Sequence, residues 1–501
     1  MLQVHNPVYR DTASIWRHSR NAAKTTVEPF SRTEYVLHFP LFLAAVAVLM
    51  WIFPSDDMLG FGCFAGTGVG LVILWRFLFR DKLLRLTRVG AIGCLLGYSG
   101  GTLNTWLTLP RSGESLGAWA GLMRGDLCHG LAVTILAAAL LLAAGELLES
   151  PLLDSSHRIA VTSGIKRIAL AGLVLVVPII FSGRLRQSGI ESNNPGHAGV
   201  LAVLFGSVVT PVVILSTMIF LLEGKQGKRI FWGIIAFLLW VLQMDLGRRN
   251  LLYAAVTTVS LARHAGYRWN KLTFRQVTLI GIGGVILVVG FLGYQLMRVA
   301  SYKLENPNLV GQFEVVEGWV EQGRAFKIAL TSTQQNVQAR TFVVAWFSDL
   351  LQLSAQQPTA HGKDTLTQIE EAVPSLFLRN KPTIQEEGIA SEQFGRIYPD
   401  QANSLLTAGV IDYGLLGAVT YPILFVSLMA YLTRWIRAHL ENEVFLYILI
   451  VALLATIATE GTLNGYIVTM RDIFVLAAGI YVLLRMPSIS IRPHSKAGYL
   501  S

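Results

Sequence analysis

Apolar runs of about 18 to 25 residues recur along almost the whole chain, and this feature restricts the fold most. A run of that length crosses the roughly 30 Å hydrocarbon core of a bilayer as an α-helix, which satisfies its own backbone hydrogen bonds. About twelve such spans are predicted, at residues 36–53, 58–79, 89–109, 129–148, 167–183, 198–222, 229–244, 249–263, 277–298, 405–433, 443–459 and 466–485. The sequence therefore predicts an all-α polytopic membrane protein.

The positive charges indicate how these spans are oriented. Lys and Arg cluster before the first span and after the second, fourth, sixth, eighth and tenth, at residues 10–32, 80–88, 158–167, 225–229, 263–275 and 434–437. All of these clusters fall on one side if twelve spans alternate, and the positive-inside rule makes that side the cytoplasm. The formal net charge of +10 therefore reports topology and does not indicate nucleic-acid binding.

The predicted organisation has five parts. A basic cytoplasmic tail, 1–35, precedes transmembrane helices 1–9 at 36–298. A large periplasmic loop with short helices, 299–404, leads to transmembrane helices 10–12 at 405–485 and a cytoplasmic tail at 486–501. Both termini are then cytoplasmic, and the localisation is the inner membrane of a bacterium. The first apolar run lacks the small-residue exit of a cleaved signal peptide.

Metal and cofactor chemistry have no motif in this chain. The chain has three cysteines, Cys63, Cys94 and Cys128, which form neither a disulfide framework nor a metal-ligand spacing. Gly-rich clusters lie inside spans, where they indicate close helix packing, and none has the strand-to-helix context of a nucleotide site. We therefore expect no metal and no cofactor.

The large loop divides into three segments by composition. Residues 312–338 are polar with Val316, Trp319 and Val320 at helical spacing, which predicts one helix with a buried stripe. Residues 341–353 are apolar but too short to span, so an interfacial or re-entrant helix is expected. Residues 355–404 carry several prolines and are expected to be irregular but ordered. A loop of this length is typical of a functional segment.

Several basic residues break the positive-inside pattern and fall on the outer side. They are Arg248, Arg249, Arg298, Arg379, Lys381, Arg396 and Arg471. An anionic ligand outside the membrane would account for them, because the planar guanidinium fork binds phosphate with two parallel hydrogen bonds. Each could instead extend to lipid headgroups. Arg471 lies inside the last predicted span, where an ionised residue indicates a functional site or a structural pair with Asp472 or Glu460.

The acid–base candidates are His361, Glu386, Glu387 and Asp412. His361 is the histidine of the large loop and could act as a base near neutral pH, although a lone histidine is more often a surface residue. Glu386 and Glu387 belong to an acidic stretch that could equally be solvated. Asp412 stands at the start of the tenth span, where an ionised residue raises the same question as Arg471.

The loop and the following span resemble the Wzy-type oligosaccharide repeat-unit polymerases. That family carries a Pro-Arg…Lys-Pro stretch in its periplasmic loop, and this chain has Val373-Pro-Ser-Leu-Phe-Leu-Arg-Asn-Lys-Pro382, followed by the small-residue segment 404–417. The Gly247-Arg-Arg turn, Arg298 and Arg471 are similar too. The resemblance covers roughly residues 240–485, with Ser375 standing where the family often has arginine.

The resemblance implies a function and a fold. The substrate would be an undecaprenyl-diphosphate-linked oligosaccharide, with the growing chain as donor and a single repeat unit as acceptor, on a GT-C-like architecture. The product would be a surface polysaccharide or exopolysaccharide. The basic residues named above would bind the diphosphate, without nucleotide sugar or metal. Membrane lipid, a chain-length regulator and a flippase are the expected partners, and nucleic acid is not.

Three alternatives stay open. One is an O-antigen ligase, which uses a similar fold and donor but transfers to a lipid A core. Another is a non-enzymatic scaffold of an envelope assembly complex. The third is a lipid-linked oligosaccharide flippase or transporter. Transporters spread ionised residues through midplane helices, whereas the spans here carry theirs close to their ends.

Overall fold

The computed structural model describes most of the chain as helix. It describes residues 33–81, 83–108, 124–154, 160–181, 195–243, 248–267, part of 281–300, 303–304, 309–340, 343–374, 377–378, 386–395, 403–458 and 461–486. The helices before the large loop are α1 (Thr33–Ile52), α2 (Asp56–Phe79), α3 (Leu86–Cys94), a π-helical turn (Leu95–Gly100), α4 (Gly101–Thr108), α5 (Arg124–Leu147), α6 (Ser163–Phe181), α7 (Pro195–Leu222), α8 (Gln226–Gln243) and α9 (Arg248–His264). Those from the loop onward are α10 (Leu309–Glu321), α11 (Ala325–Arg340), α12 (Val343–Gln356), α13 (Lys363–Ala372), α14 (Glu386–Phe394), α15 (Leu405–His439), α16 (Asn442–Ile457) and α17 (Leu463–Arg485).

Two short strands interrupt the helical pattern. β1 (Leu83–Leu84) and β2 (Leu153–Asp154) pair antiparallel, with Leu83 opposite Asp154 and Leu84 opposite Leu153. This ladder ties the connection after α2 to the segment after α5. The prediction from sequence contains no strand, because two paired residues leave no periodic signal.

The length and composition of the helices indicate a membrane protein. Among the described residues, four helices are long and apolar enough to cross a bilayer, namely Asp56–Phe79, Gly125–Leu147, Leu405–His439 and Leu463–Arg485. Three shorter apolar helices accompany them, at His38–Ile52, Val208–Leu222 and Asn442–Ile457. Large apolar side chains such as Val174, Leu416 and Val475 are about two-thirds exposed. An apolar outer surface of this kind fits lipid and not water.

The centre of the bundle is formed by α5, which packs against α1, α2, α3, α12 and α15. Its alanines, including Ala132, Ala137 and Ala138, are buried and let neighbouring backbones approach closely. Helix α12 is buried on nearly all sides and lies between α5 and α15. It is therefore a short helix inserted among longer ones.

A sharp bend interrupts α15 near its start. Tyr413 and Gly414 leave helical geometry, and Gly414 has φ 60° and ψ −142°. The bend folds the first segment back, because a Cβ built on Gly409 would lie 2.2 Å from the Gly417 carbonyl oxygen. Residues eight apart in a straight helix are about 12 Å apart along the axis. Glycine at 409 and 417 permits this contact.

The large loop is more helical than its sequence predicts. The single helix expected over 312–338 is two helices, α10 and α11, with a turn at 322–324. Trp319 is buried, but Val320 is 60% exposed, so the predicted buried stripe is incomplete. The segment expected to be irregular, 355–404, contains α13 and α14 among its described residues, so the prediction of irregular structure is wrong there.

The two ends of the bundle are fixed by contacts of α15. Near its beginning, the Tyr98 hydroxyl lies 2.7 Å from the Ser404 hydroxyl. Near its end, the Arg437 guanidinium donates to the carbonyl of Leu152. We call the first the loop end and the second the opposite end. Helix α17 also runs between them, because Arg485 pairs with Glu441 at the opposite end at 3.1 Å.

Candidate functional site at the loop end

The bend in α15 leaves backbone carbonyls without helical partners, and a loop segment uses them. The amide of Ala360 donates to the carbonyl oxygen of Ile411 at 2.8 Å, and that of His361 donates to the carbonyl oxygen of Asp412 at 2.9 Å. His361 is held at φ 50°, a left-handed conformation that is uncommon outside glycine. Its side chain is exposed. Backbone strain at an exposed titratable residue is typical of functional sites.

Asp412 caps the first turn of α13. Its carboxylate accepts the backbone N–H groups of Asp364 at 2.9 Å and Thr365 at 3.0 Å. It also accepts the hydroxyls of Thr365 at 2.6 Å and Tyr421 at 2.8 Å. A carboxylate at a helix N-terminus satisfies orphan donors and interacts favourably with the helix dipole. Asp412 is fully buried, so its carboxylate anchors α13 to α15.

A second group of carboxyls lies behind this cap. Asp364 on α13 is fully buried, and Glu386 on α14 is 4% exposed. Asp364 accepts from the Gln368 side chain at 3.0 Å, and Glu386 accepts from the Thr407 hydroxyl at 2.6 Å. Each has one further oxygen with no hydrogen-bond partner, Oδ2 of Asp364 and Oε2 of Glu386.

Burial dominates the electrostatics of this carboxyl pair. Desolvation is the main reason that the pKa of Asp364 is raised to about 7; the Gln368 hydrogen bond opposes this shift, and the charges of Asp412 and Glu387 add to it. Desolvation also raises the pKa of Glu386 well above its ordinary value, followed by the charge of Asp364. Two buried carboxyls that interact in this way hold a proton at a pH where exposed carboxyls are ionised.

The far end of α13 is held by α17. Arg471 donates Nη1 to the carbonyl oxygen of Ala372, the last residue of α13. The Arg471 guanidinium also pairs with Asp472 at 2.7 Å. The Asn464 side chain donates to Oε2 of Glu371 at 2.7 Å. A cation at a helix C-terminus complements the dipole, so α13 has a carboxylate at its start and a guanidinium at its end.

The Pro374 stretch begins close to the Arg471 guanidinium. Val373 follows the last residue of α13, and the amide of Phe377 donates to the carbonyl oxygen of Pro374 at 2.9 Å in a tight turn. Phe377 is 78% exposed. The structure therefore brings Arg471 of the last predicted span within two residues of the loop motif with which it was grouped by sequence.

The other predicted site residues are located as follows. Arg248 and Arg249 open α9, but their side chains are outside the described part of the structure. Arg298, Arg379, Lys381 and Arg396 also lie outside the described residues. Glu387 is half-buried beside Glu386 on α14. The structure thus brings His361, Glu386, Glu387 and Asp412 together around the start of α13, with Arg471 at its other end.

The α13 helix is about 15 Å long at 1.5 Å per residue, so it separates two kinds of chemistry. His361 and the carboxyls lie at its first turn, and the guanidinium lies at its last. Both groups cannot contact the same reacting atom. Among the described residues, no three His, Cys, Asp or Glu side chains are arranged to hold a metal ion.

The residues of this site that were missed from sequence include Asp364, Thr365, Glu371 and Asn464. The signal that could have found one of them is the spacing of Asp364, Gln368 and Ala372, which are the buried residues of α13 at i, i+4 and i+8. The helix exposes Leu366 and Ile369 instead. A search for apolar periodicity does not detect a helix whose buried face is polar.

Comparison of the chain with family models finds no match, and comparisons with curated proteins and with solved structures find none either.

Proposed function

We propose that the protein polymerises undecaprenyl-diphosphate-linked oligosaccharide repeat units at the periplasmic face of a bacterial inner membrane. The chain would cross the membrane about twelve times on a GT-C-like architecture, with the loop end outside. The observation that carries the proposal is the contact between Arg471 and Ala372. It joins the cation of the last predicted span to the residue from which the Pro374–Pro382 stretch, with its own two cations, departs.

The proposed glycan transfer needs positive charge next to the diphosphate of the donor. Transfer of a glycan from a lipid diphosphate breaks the bond between the anomeric carbon and the diphosphate oxygen, which takes the electron pair. Fixed guanidinium groups stabilise the charge that develops there, because they are oriented before the reaction begins. Arg471 is fixed by Asp472 and by the Ala372 carbonyl, and its side chain remains 33% exposed, which leaves access for an anion.

The test is polymerisation by the purified full chain in nanodiscs. The substrate is the undecaprenyl-diphosphate repeat unit extracted from a host strain that lacks this protein. A ladder of lipid-linked oligomers is expected. Core-linked single repeats formed on added lipid A core would instead identify a ligase, and substrate crossing the bilayer without oligomers would identify a flippase. Either result would overturn the polymerase proposal.

Arg471→Gln tests the role of the cation, because glutamine removes the positive charge and keeps a polar side chain. We expect a loss of ladder formation of about 10²- to 10³-fold in a protein that still inserts and folds, although its contacts with Ala372 and Asp472 are lost. Arg485→Gln is the matched control on the same helix, since Arg485 is at the opposite end and paired with Glu441. Equal activity of Arg471→Gln and the wild type would remove Arg471 from the diphosphate site.

A further inference from the structure

We propose that Glu371 is the general base that accepts the proton of the acceptor hydroxyl. This inference rests on the proposed function and names a residue that the sequence did not suggest. Glu371 is half-buried in the last turn of α13 and accepts the Asn464 side-chain amide at 2.7 Å. The next residue, Ala372, accepts the Arg471 guanidinium. The carboxylate therefore belongs to Glu371, and the guanidinium of Arg471 contacts the next residue along the chain, Ala372.

Helix α17 sets the order of these groups. Asn464 and Arg471 are seven residues apart, so they share one face of α17 and are separated by about 10 Å along its axis. Asn464 is in the first turn, next to the loop, and Arg471 lies deeper. In the proposed orientation, the deeper guanidinium meets the diphosphate of a membrane-anchored donor. The carboxylate at Asn464 is on the aqueous side, from which a sugar hydroxyl arrives.

The other carboxylates are less suited to this proton transfer. Asp472 is engaged by the Arg471 guanidinium itself. Asp412 is buried and accepts four hydrogen-bond donors. Asp364 and Glu386 are buried at the start of α13, and Asp364 is about 10 Å from Glu371 along the helix. His361 lies at that same end. A general base must lie within hydrogen-bond reach of the hydroxyl that attacks beside the diphosphate.

The step balances without a further reactant. The acceptor oxygen forms a bond to the anomeric carbon of the donor as the bond from that carbon to the diphosphate oxygen breaks. The diphosphate leaves with the electron pair. The hydroxyl proton passes to the carboxylate of Glu371, which later releases it to the departing diphosphate or to water.

The decisive variant is Glu371→Gln, because glutamine retains an oxygen that can accept the Asn464 amide. If Glu371 only positions α13, Glu371→Gln should stay active and Glu371→Ala should lose activity. If Glu371 is the general base, both variants should lose activity. We expect Glu371→Gln to lower the single-turnover rate by about 10²- to 10⁴-fold and to remove the acidic limb of the pH–rate profile. Glu370→Gln, the exposed neighbour on the same helix, should retain the wild-type rate.

Separate measurements of substrate binding and of polymerisation distinguish the failure of the Glu371 assignment from the failure of the proposed function. The probe is the same lipid-diphosphate repeat unit, and its binding is followed separately by tryptophan fluorescence. A wild-type ladder with a Glu371→Gln rate within threefold of wild type would overturn the assignment of Glu371 and leave the polymerase intact. A wild type that binds the probe and makes no ladder would overturn the proposed function itself.

Discussion

The loop end and the opposite end of the bundle use the same device to start a helix. At the loop end, Asp412 accepts two backbone amides of α13 and the Thr365 hydroxyl at 2.9, 3.0 and 2.6 Å. At the opposite end, Glu149 accepts the amides of Leu86 and Thr87 in α3 and the Thr87 hydroxyl at 2.7, 3.0 and 2.6 Å. A carboxylate from a distant segment caps the helix in both places.

The side chains around the two caps differ in charge. At the opposite end, Arg85 and Arg88 both pair with Glu146, and Arg88 also pairs with Asp81. At the loop end, the charges that act on Asp364 and Glu386 are those of other carboxyls. The opposite end is electrostatically matched and stabilises the fold. Among the described residues of the loop end, Asp364 and Glu386 pair with no cation, and buried acids with raised pKa values are common at functional sites.

The largest loss of stability is expected when the ion pairs at the opposite end are removed. Glu146→Gln removes the carboxylate shared by Arg85 and Arg88, whose side chains are only 11% and 15% exposed. Arg85 then loses its ion-pair partner while Arg88 keeps Asp81, and leaving a buried guanidinium without its partner costs about 3–5 kcal/mol. The fall is measured as the shift in unfolding midpoint in detergent, followed by tryptophan fluorescence. An unchanged midpoint would show that solvent compensates the charges and that the two ends do not differ as described.

The loop end should respond to pH in the opposite sense from an ordinary carboxylate pair. Because the pKa of Asp364 is raised to about 7, the folded chain keeps a proton that the unfolded chain releases above about pH 4. Stability contributed by this group is therefore fully present at low pH and falls as pH rises from about 4 to about 7, by up to a few kcal/mol.

Asp364→Asn isolates that pH dependence. The amide cannot ionise, so the variant should lose this part of the decline in unfolding midpoint between pH 5 and pH 8 and equal or exceed wild-type stability at pH 8. Glu392→Gln, an exposed carboxyl on α14, serves as the control and should keep the wild-type slope. Parallel wild-type and Asp364→Asn profiles would mean that Asp364 is ionised in the folded protein at low pH.

The two caps themselves should be similar in strength. Asp412→Asn and Glu149→Gln each place an amide where a carboxylate accepts two N–H groups and a threonine hydroxyl, and Asp412 also accepts the Tyr421 hydroxyl. Each should cost about 1–3 kcal/mol, because at least one donor is left facing an NH₂ group. Unfolding midpoints of the two variants, measured side by side, test this similarity. A much larger cost at Asp412 would show that its negative charge, and not only its hydrogen bonding, holds α13.

The helical fold was largely predictable, because each long apolar run has one low-energy form in lipid. The bend at Tyr413–Gly414 was not predicted. Gly409, Gly414 and Gly417 were visible as a small-residue segment, but glycine spacing does not reveal which backbones meet. The predicted alternatives for Arg471 included a structural pair with Asp472, and that pair is present. Its second contact, with Ala372, depends on a fold-back of the loop that has no periodic signal.

Among the acidic residues of the candidate site, some were likewise predicted from the sequence and others were missed. Asp412 stood out because a carboxylate at the start of an apolar run is costly. Asp364 and Glu371 did not, because α13 exposes Leu366 and Ile369 and buries Asp364 and Gln368. Sequence patterning assumes that apolar residues face the core. Where a helix is held by hydrogen bonds and charges at its two ends, that assumption fails, and the residues that matter lie on the face that looks solvent-exposed.

The smallest effect is expected from the exposed pair between Lys363 and Glu392, at 2.8 Å. Their side chains are 55% and 53% exposed, so solvent screens the attraction, and a double-mutant cycle with alanine should give below about 1 kcal/mol. Because Lys363 precedes Asp364, the same cycle tests whether the buried acids lack a counter-charge. If Lys363→Ala destabilised the protein far more than Glu392→Ala, the lysine would be balancing Asp364. The loop end would then be matched in the same way as the opposite end.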